Sequence, residues 1–205
     1  MEKPFKFYKI TEAGSNSTNY CYPSVMDESP WSDENLFISE CSQNYDLPIP
    51  YLVDNKNEPG DFPVCHNILV SKKFLEVIKQ LNETYTALES QMHYEGKNTK
   101  AYLEQHDGSD EIWDIYYTML FPAYSLFNWD KSDFSKYYND ELNKTFVTRI
   151  NRLVLDKNKI EATDFTNNIF HLEEKKTCLL CTEKAKLKIE EAGLSGIAFE
   201  EVDVL

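Results

Sequence analysis

The chain has 205 residues, 41% of them hydrophobic and 14% aromatic, which suits one domain or two small lobes sharing a core and excludes wholesale disorder. Twenty-one Lys/Arg against thirty-five Asp/Glu leave a net charge of −14. That balance argues against nucleic acid, whose binders need a basic footprint, and against an anionic membrane surface; it fits a basic protein partner, or simply solubility.

In chain order, Met1 to Lys9 carries charges throughout and has no apolar core, so no secretory leader is expected. Residues 1–66 hold four Lys/Arg and eleven Asp/Glu, half of the total excess. Turn-rich stretches at 14–19, 28–33 and 55–60 separate short apolar pieces, Phe5–Ile10, Leu36–Ser39 and Tyr51–Val53. This predicts an irregular acidic N-terminal lobe (1–66) with short strands, continuous with a core at 67–205. Asn67–Val70 reads as a strand feeding a helix capped by Ser71. Phe74, Ile78, Leu81, Tyr85, Leu88 and Met92 form one helical stripe, which Gly96 closes.

Residues 97–110 read as polar loop. Ile112–Leu120 and Tyr124–Trp129 are aromatic and β-rich, and Asp130–Asp133 offers a cap for a short helix or turn around Phe134–Leu142. Phe146–Leu155 and Ile169–Leu172 read as strands, with turn-like polar flanks at 156–159 and 173–176. Thr177–Thr182 is a buried strand, Thr182 the cap of a helix over Glu183–Ala192 that Gly193 ends, and Gly196 turns the chain into a last strand, Ile197–Val204. Ile68-Leu-Val-Ser-Lys-Lys and Leu179-Leu-Cys-Thr-Glu-Lys share one pattern, so the chain uses a strand–cap–helix unit twice, at about 67–95 and 177–193. The expected class is α+β (mixed α/β), the units packing on one central sheet.

Chemistry is sparse. The cysteines are Cys21, Cys41, Cys65, Cys178 and Cys181, an odd number that suits reduced thiols. In a strand, Cys178 and Cys181 point to opposite faces, so they cannot easily share a disulfide or a metal. Neither a metal site nor a cofactor is implied. His66, His93, His106 and His171 form no metal-binding spacing, and nucleophile-elbow, dinucleotide and phosphate-loop motifs are absent. His106-Asp107 reads as an exposed polar loop rather than an acid–base pair, and His171 as a partly exposed strand position. An enzyme is not expected. Trp31, in the acidic loop Asp27-Glu-Ser-Pro-Trp-Ser-Asp-Glu34, is either an interface anchor or a ring folded back over the core.

Ile169-Phe-His-Leu, Leu179-Leu-Cys-Thr-Glu-Lys-Ala-Lys-Leu and Ala192-Gly-Leu-Ser-Gly-Ile-Ala-Phe-Glu-Glu-Val202 resemble the end of a bacterial immunity-protein family that accompanies polymorphic toxins, immunity family eleven, with family forty-three a near relative. Gly193, Leu194, Gly196 and Phe199 match the family's Gly-Leu-x-Gly-x-x-Phe run. Ile68–Leu75, Tyr116-Tyr117 and Phe127–Ser132 resemble its earlier segments, so the likeness spans roughly residues 60–203. The resemblance implies a cytoplasmic antidote that binds a cognate toxin domain stoichiometrically, without chemistry of its own. The expected partner-binding residues are Asp27, Glu28, Trp31, Asp33 and Glu34, with Asp107 and Asp110 behind them, facing a basic cleft on the toxin. An adaptor or chaperone for a secreted effector, or an enzyme reversing a toxin's modification, are the alternatives.

Overall fold

The computed structural model describes residues 5–13, 20–23, 49–53, 60–65, 68–94, 112–140 and 143–205. They form fourteen strands and three helices. The strands are β1 (Phe7–Glu12), β2 (Tyr20–Pro23), β3 (Ile49–Val53), β4 (Val64–Cys65), β5 (Leu69–Ser71), β6 (Thr86–Tyr94), β7 (Ile112–Leu120), β8 (Ala123–Tyr124), β9 (Asp133–Asn139), β10 (Lys144–Arg152), β11 (Val154–Leu155), β12 (Ile169–Leu172), β13 (Lys175–Thr182) and β14 (Ile197–Val204). The helices are α1 (Lys72–Ile78), α2 (Lys157–Ala162) and α3 (Glu183–Glu191). The class is α+β with strands dominant. Instead of one central sheet there are two six-stranded sheets, β11-β14-β1-β13-β12-β8 and β4-β2-β3-β6-β7-β5, and a ribbon of β9 and β10.

The first sheet lies at the centre, and its apolar sequence says why. Leu179 and Cys181 of β13 join Tyr8, Ile10 and Ile169 in a core shared with Val70, Met119 and the two longer helices. Cys178 and Leu180, one residue out of phase, join Phe7, Phe170 and Val202 in a second core covered by Ile160 of α2 and Val147 of β10. A strand buried on both faces reads as a continuous apolar run, as Cys178–Cys181 does.

The helix caps read at Ser71 and Thr182 are formed, while Asp130–Asp133 leads into a strand and caps no helix. Ser71 Oγ accepts from Phe74 N at 3.1 Å and Thr182 Oγ1 from Ala185 N at 3.4 Å. The first helix is far shorter than its apolar stripe predicts. It ends at Ile78, and residues 86–94 are strand β6. Asn82 sets the break: its side chain accepts from Ile169 N (2.9 Å) and Asn168 N (3.0 Å) and donates to the Ile169 carbonyl (2.7 Å), stitching the chain to β12. Leu88, Ser90 and Met92 are then buried in alternation. A four-residue spacing such as 88 to 92 satisfies a strand face as well as a helix face, which is how the stripe misleads.

Two further expectations are corrected. Where the sequence suggests a short helix or turn around Phe134–Leu142, the described residues 134–139 are strand: the turn at 129–131 leads into β9, whose Tyr and Phe residues favour a pleated ribbon. Residues 157–162 form α2 rather than a simple turn, because Asp156 Oδ1 caps it by accepting from Asn158 N (2.9 Å) and Lys159 N (3.4 Å).

The repeated unit goes deeper than the caps. β5 and β6 both run antiparallel to β7, so they are parallel to each other with β7 between them. β13 and β14 both run antiparallel to β1, and so enclose it in the same way. Beyond each unit's second strand lies a parallel neighbour, β3 beside β6 and β11 beside β14. The two units share one topology except that the inserted strand follows its unit in the first case and begins the chain in the second.

Candidate functional site

The residues expected to meet a partner, Asp27, Glu28, Trp31, Asp33, Glu34, Asp107 and Asp110, lie outside the described residues, as do Cys41, His66 and His106. Of the four histidines, only His171 has described side-chain surroundings. It is 3% exposed, not partly exposed, because β12 lies between β13 and β8 with apolar layers on both faces. Its ring lies 5.9 Å from that of Phe121. Burial holds its pKa down to about 4, with the Lys176 ammonium adding repulsion and a backbone hydrogen bond at Lys176 opposing, so the imidazole is neutral at physiological pH. A group so enclosed has no path to a substrate.

Cys178 and Cys181 face opposite cores of the same sheet, as their spacing in a strand dictates. Burial pushes their thiols up to about 11 and about 12. Redox and nucleophilic cysteines need the opposite shift, so both are packing residues. Among the described residues no three His, Cys, Asp or Glu side chains group to hold a metal ion.

The densest polar cluster centres on Asp61, which the sequence presents only as the end of a Pro-Gly turn. Ser71 Oγ donates to Asp61 Oδ1 at 2.6 Å; Ser195 N and Ser195 Oγ donate to Oδ2 at 2.8 and 3.0 Å. Around it, Asp61 N donates to Ser195 Oγ (3.1 Å), Tyr116 Oη to the Gly60 carbonyl (2.6 Å) and Lys73 Nζ to the Gly193 carbonyl (3.1 Å). Partial burial works against the charge of Asp61, yet these hydrogen bonds and Lys73 outweigh it and keep the carboxyl below its usual range. Among the described residues, Ser195 Oγ donates to a carboxylate held below its usual range, a weak base for taking its proton. The arrangement instead clasps residues 60–62 between the cap of α1 and the turn from α3 to β14. A depression of about 250 Å³ lined by Thr84, Tyr85, Thr86, Leu120, Phe121 and Pro122 carries no carboxylate, imidazole or thiol.

The surface feature that sequence reasoning missed is the β9–β10 ribbon. Tyr137 is 58% exposed, Tyr138 48%, and Trp129 stands exposed at its base against Phe127 and Phe134, with ring centroids 5.0 and 5.4 Å away. Its signal is the alternation of Phe134, Lys136 and Tyr138 with Ser135 and Tyr137, which a helix reading hides. No protein-family model matches the chain, and no curated protein matches it. No described helix is long and apolar enough to cross a membrane.

Proposed function

We propose that the chain is an immunity protein of the polymorphic-toxin type, resident in the cytoplasm, which binds its cognate toxin domain and masks the toxin's active site. The observation that carries this reading is the run Gly193, Leu194, Gly196 and Phe199, which resembles the family's Gly-Leu-x-Gly-x-x-Phe run. The strand, capped helix and last strand over 175–204 are the local structure that this pattern calls for. The described chemistry adds support: its buried imidazole and thiols serve packing, and its best-connected carboxylate serves a clasp. The acidic segment Asp27–Glu34 suits a basic cleft, where carboxylates take up phosphate positions and speed association electrostatically.

The test is a titration of the toxin domain encoded beside this chain, following residual toxin activity. Activity is expected to fall to zero at one equivalent, with a stable complex. Protection far below one equivalent indicates an enzyme that reverses the toxin's damage. Binding without inhibition indicates an adaptor. Trp31→Ala combined with Asp33→Lys and Glu34→Lys is expected to weaken binding by about tenfold or more, the scale of losing an interface hot spot; unchanged affinity removes that loop from the interface.

A further inference from the structure

We propose that Cys21 and Cys65 are the two halves of a reversible disulfide, closed by exchange with a small-molecule disulfide such as oxidised glutathione. The proposal is independent of the toxin-binding reading above.

The ladder carries the argument. β2 and β4 run parallel, with Tyr20 opposite Val64 and Cys21 opposite Cys65. Opposed Cα atoms in neighbouring strands lie about one strand spacing apart, roughly 4.8 Å, inside the roughly 4.4–6.8 Å that disulfides span. The pleat changes face at every residue, so opposed residues occupy the same face of a sheet. Cys178 and Cys181 are the contrast within the same chain: three residues apart on β13, they occupy opposite faces and enter separate cores. Among the described residues, Cys21 and Cys65 are the pair of cysteines that a ladder sets opposite each other.

Their place in the fold gives the bond a consequence. β4 is two residues long and lies at the edge of its sheet, with β2 as its neighbour. Asp61 already ties the start of the stretch 60–65 to Ser71 and Ser195. A bond from Cys65 to Cys21 ties the end of that stretch to β2 and closes residues 21–65 into a ring. A reducing compartment keeps the pair as thiols, and a rise in small-molecule disulfide closes it.

The exchange balances in two steps. One cysteine thiolate attacks oxidised glutathione, forms a mixed disulfide and expels one glutathione thiolate. The second cysteine thiolate attacks the cysteine sulfur of that mixed disulfide, forms the Cys21–Cys65 bond and expels the other glutathione. The protein dithiol is oxidised, the small disulfide is reduced, and the two protons released end on the two glutathione thiols.

The test incubates the full chain with oxidised glutathione, then alkylates and counts the remaining thiols under denaturing conditions. The count is expected to fall from five to three. Digestion after glutamate and lysine separates Cys21, Cys41 and Cys65, and mass spectrometry is expected to find the Cys21 and Cys65 peptides joined. The oxidised chain is expected to melt about 5 °C or more above the reduced one, because the ring restricts the unfolded state, and dithiothreitol is expected to reverse the shift. Cys65→Ser is expected to abolish the link and the shift, while Cys41→Ser keeps both. Five thiols after oxidation, glutathione held separately on Cys21 and Cys65, a link to Cys41 or a link between two copies of the chain each overturns the proposal. A Cys21–Cys65 link that lowers the melting point overturns it as well, since the bond then opposes the ladder. Should Cys65→Ser fail to fold, the peptide map of the parent decides by itself.

Discussion

His171 shows how position changes a residue's chemistry. Its neighbours Ile169, Phe170 and Leu172 are buried on the two faces of the central sheet, and the imidazole is enclosed with them. The folded state holds its pKa near 4, against an ordinary 6.5, so the unfolded chain takes up the proton first as pH falls. The stability that follows is complete above pH 6.5 and is lost progressively down to pH 4, up to about 3 kcal/mol for a shift of this size. His171→Leu is expected to flatten the denaturation midpoint against pH across that window. An unchanged slope assigns the loss to other groups. Asp61 acts lower on the scale: its depressed pKa contributes stability above the ordinary carboxylate range, and that contribution disappears as pH falls through the folded value.

Turns and caps decide which elements the apolar pattern becomes. Gly193 and Gly196 both carry positive φ, +60° and +79°, but their surroundings differ. A Cβ on Gly193 meets nothing within 4 Å, whereas on Gly196 it lies 2.8 Å from the Phe62 carbonyl oxygen, beside the Asp61 clasp. Gly193→Ala is therefore expected to cost about 1 kcal/mol, the conformational term alone. Gly196→Ala adds a backbone clash, and about 2–3 kcal/mol in total is the expected loss by chemical denaturation. Equal losses would show that Phe62 yields freely. The same scale explains what the sequence concealed. Ser71 and Thr182 were legible as caps because capping needs one side chain at one position. The end of α1 was not, because Asn82 meets its partners some 87 residues away, at Ile169.

At the scale of the molecule, the two units share a topology that the chain traverses differently. β1 does in the second unit what β7 does in the first, although one opens the chain and the other follows β6 directly. Phe7 lies opposite Val202 and Glu12 opposite Ile197, so the start of β1 lies beside the end of β14, as the start of β7 lies beside the end of β6 in the first unit. Joining Leu205 to Phe5 through a short glycine-rich linker, and opening the chain within 97–110, is expected to leave a cooperative fold with the parent's circular dichroism. A permutant that melts without cooperativity would mean that folding depends on the order in which the chain reaches β1 and β14.

The sequence by itself determined the local devices: two capped helices, the glycine turn before β14, the two-faced burial of Cys178–Cys181 and the α+β class. Each of these depends on neighbours a few residues away, where spacing and side-chain chemistry suffice. It also supplied the resemblance on which the functional proposal stands, while the acidic residues chosen from it lie outside the described structure. Only the tertiary structure decided that residues 86–94 and 133–139 are strands, that β1 occupies the centre of a sheet, that His171 is sealed in, and that Asp61 joins two distant turns. Those outcomes depend on which strand lies alongside which. A ladder of backbone hydrogen bonds between residues far apart in the chain leaves no periodic trace in either segment alone.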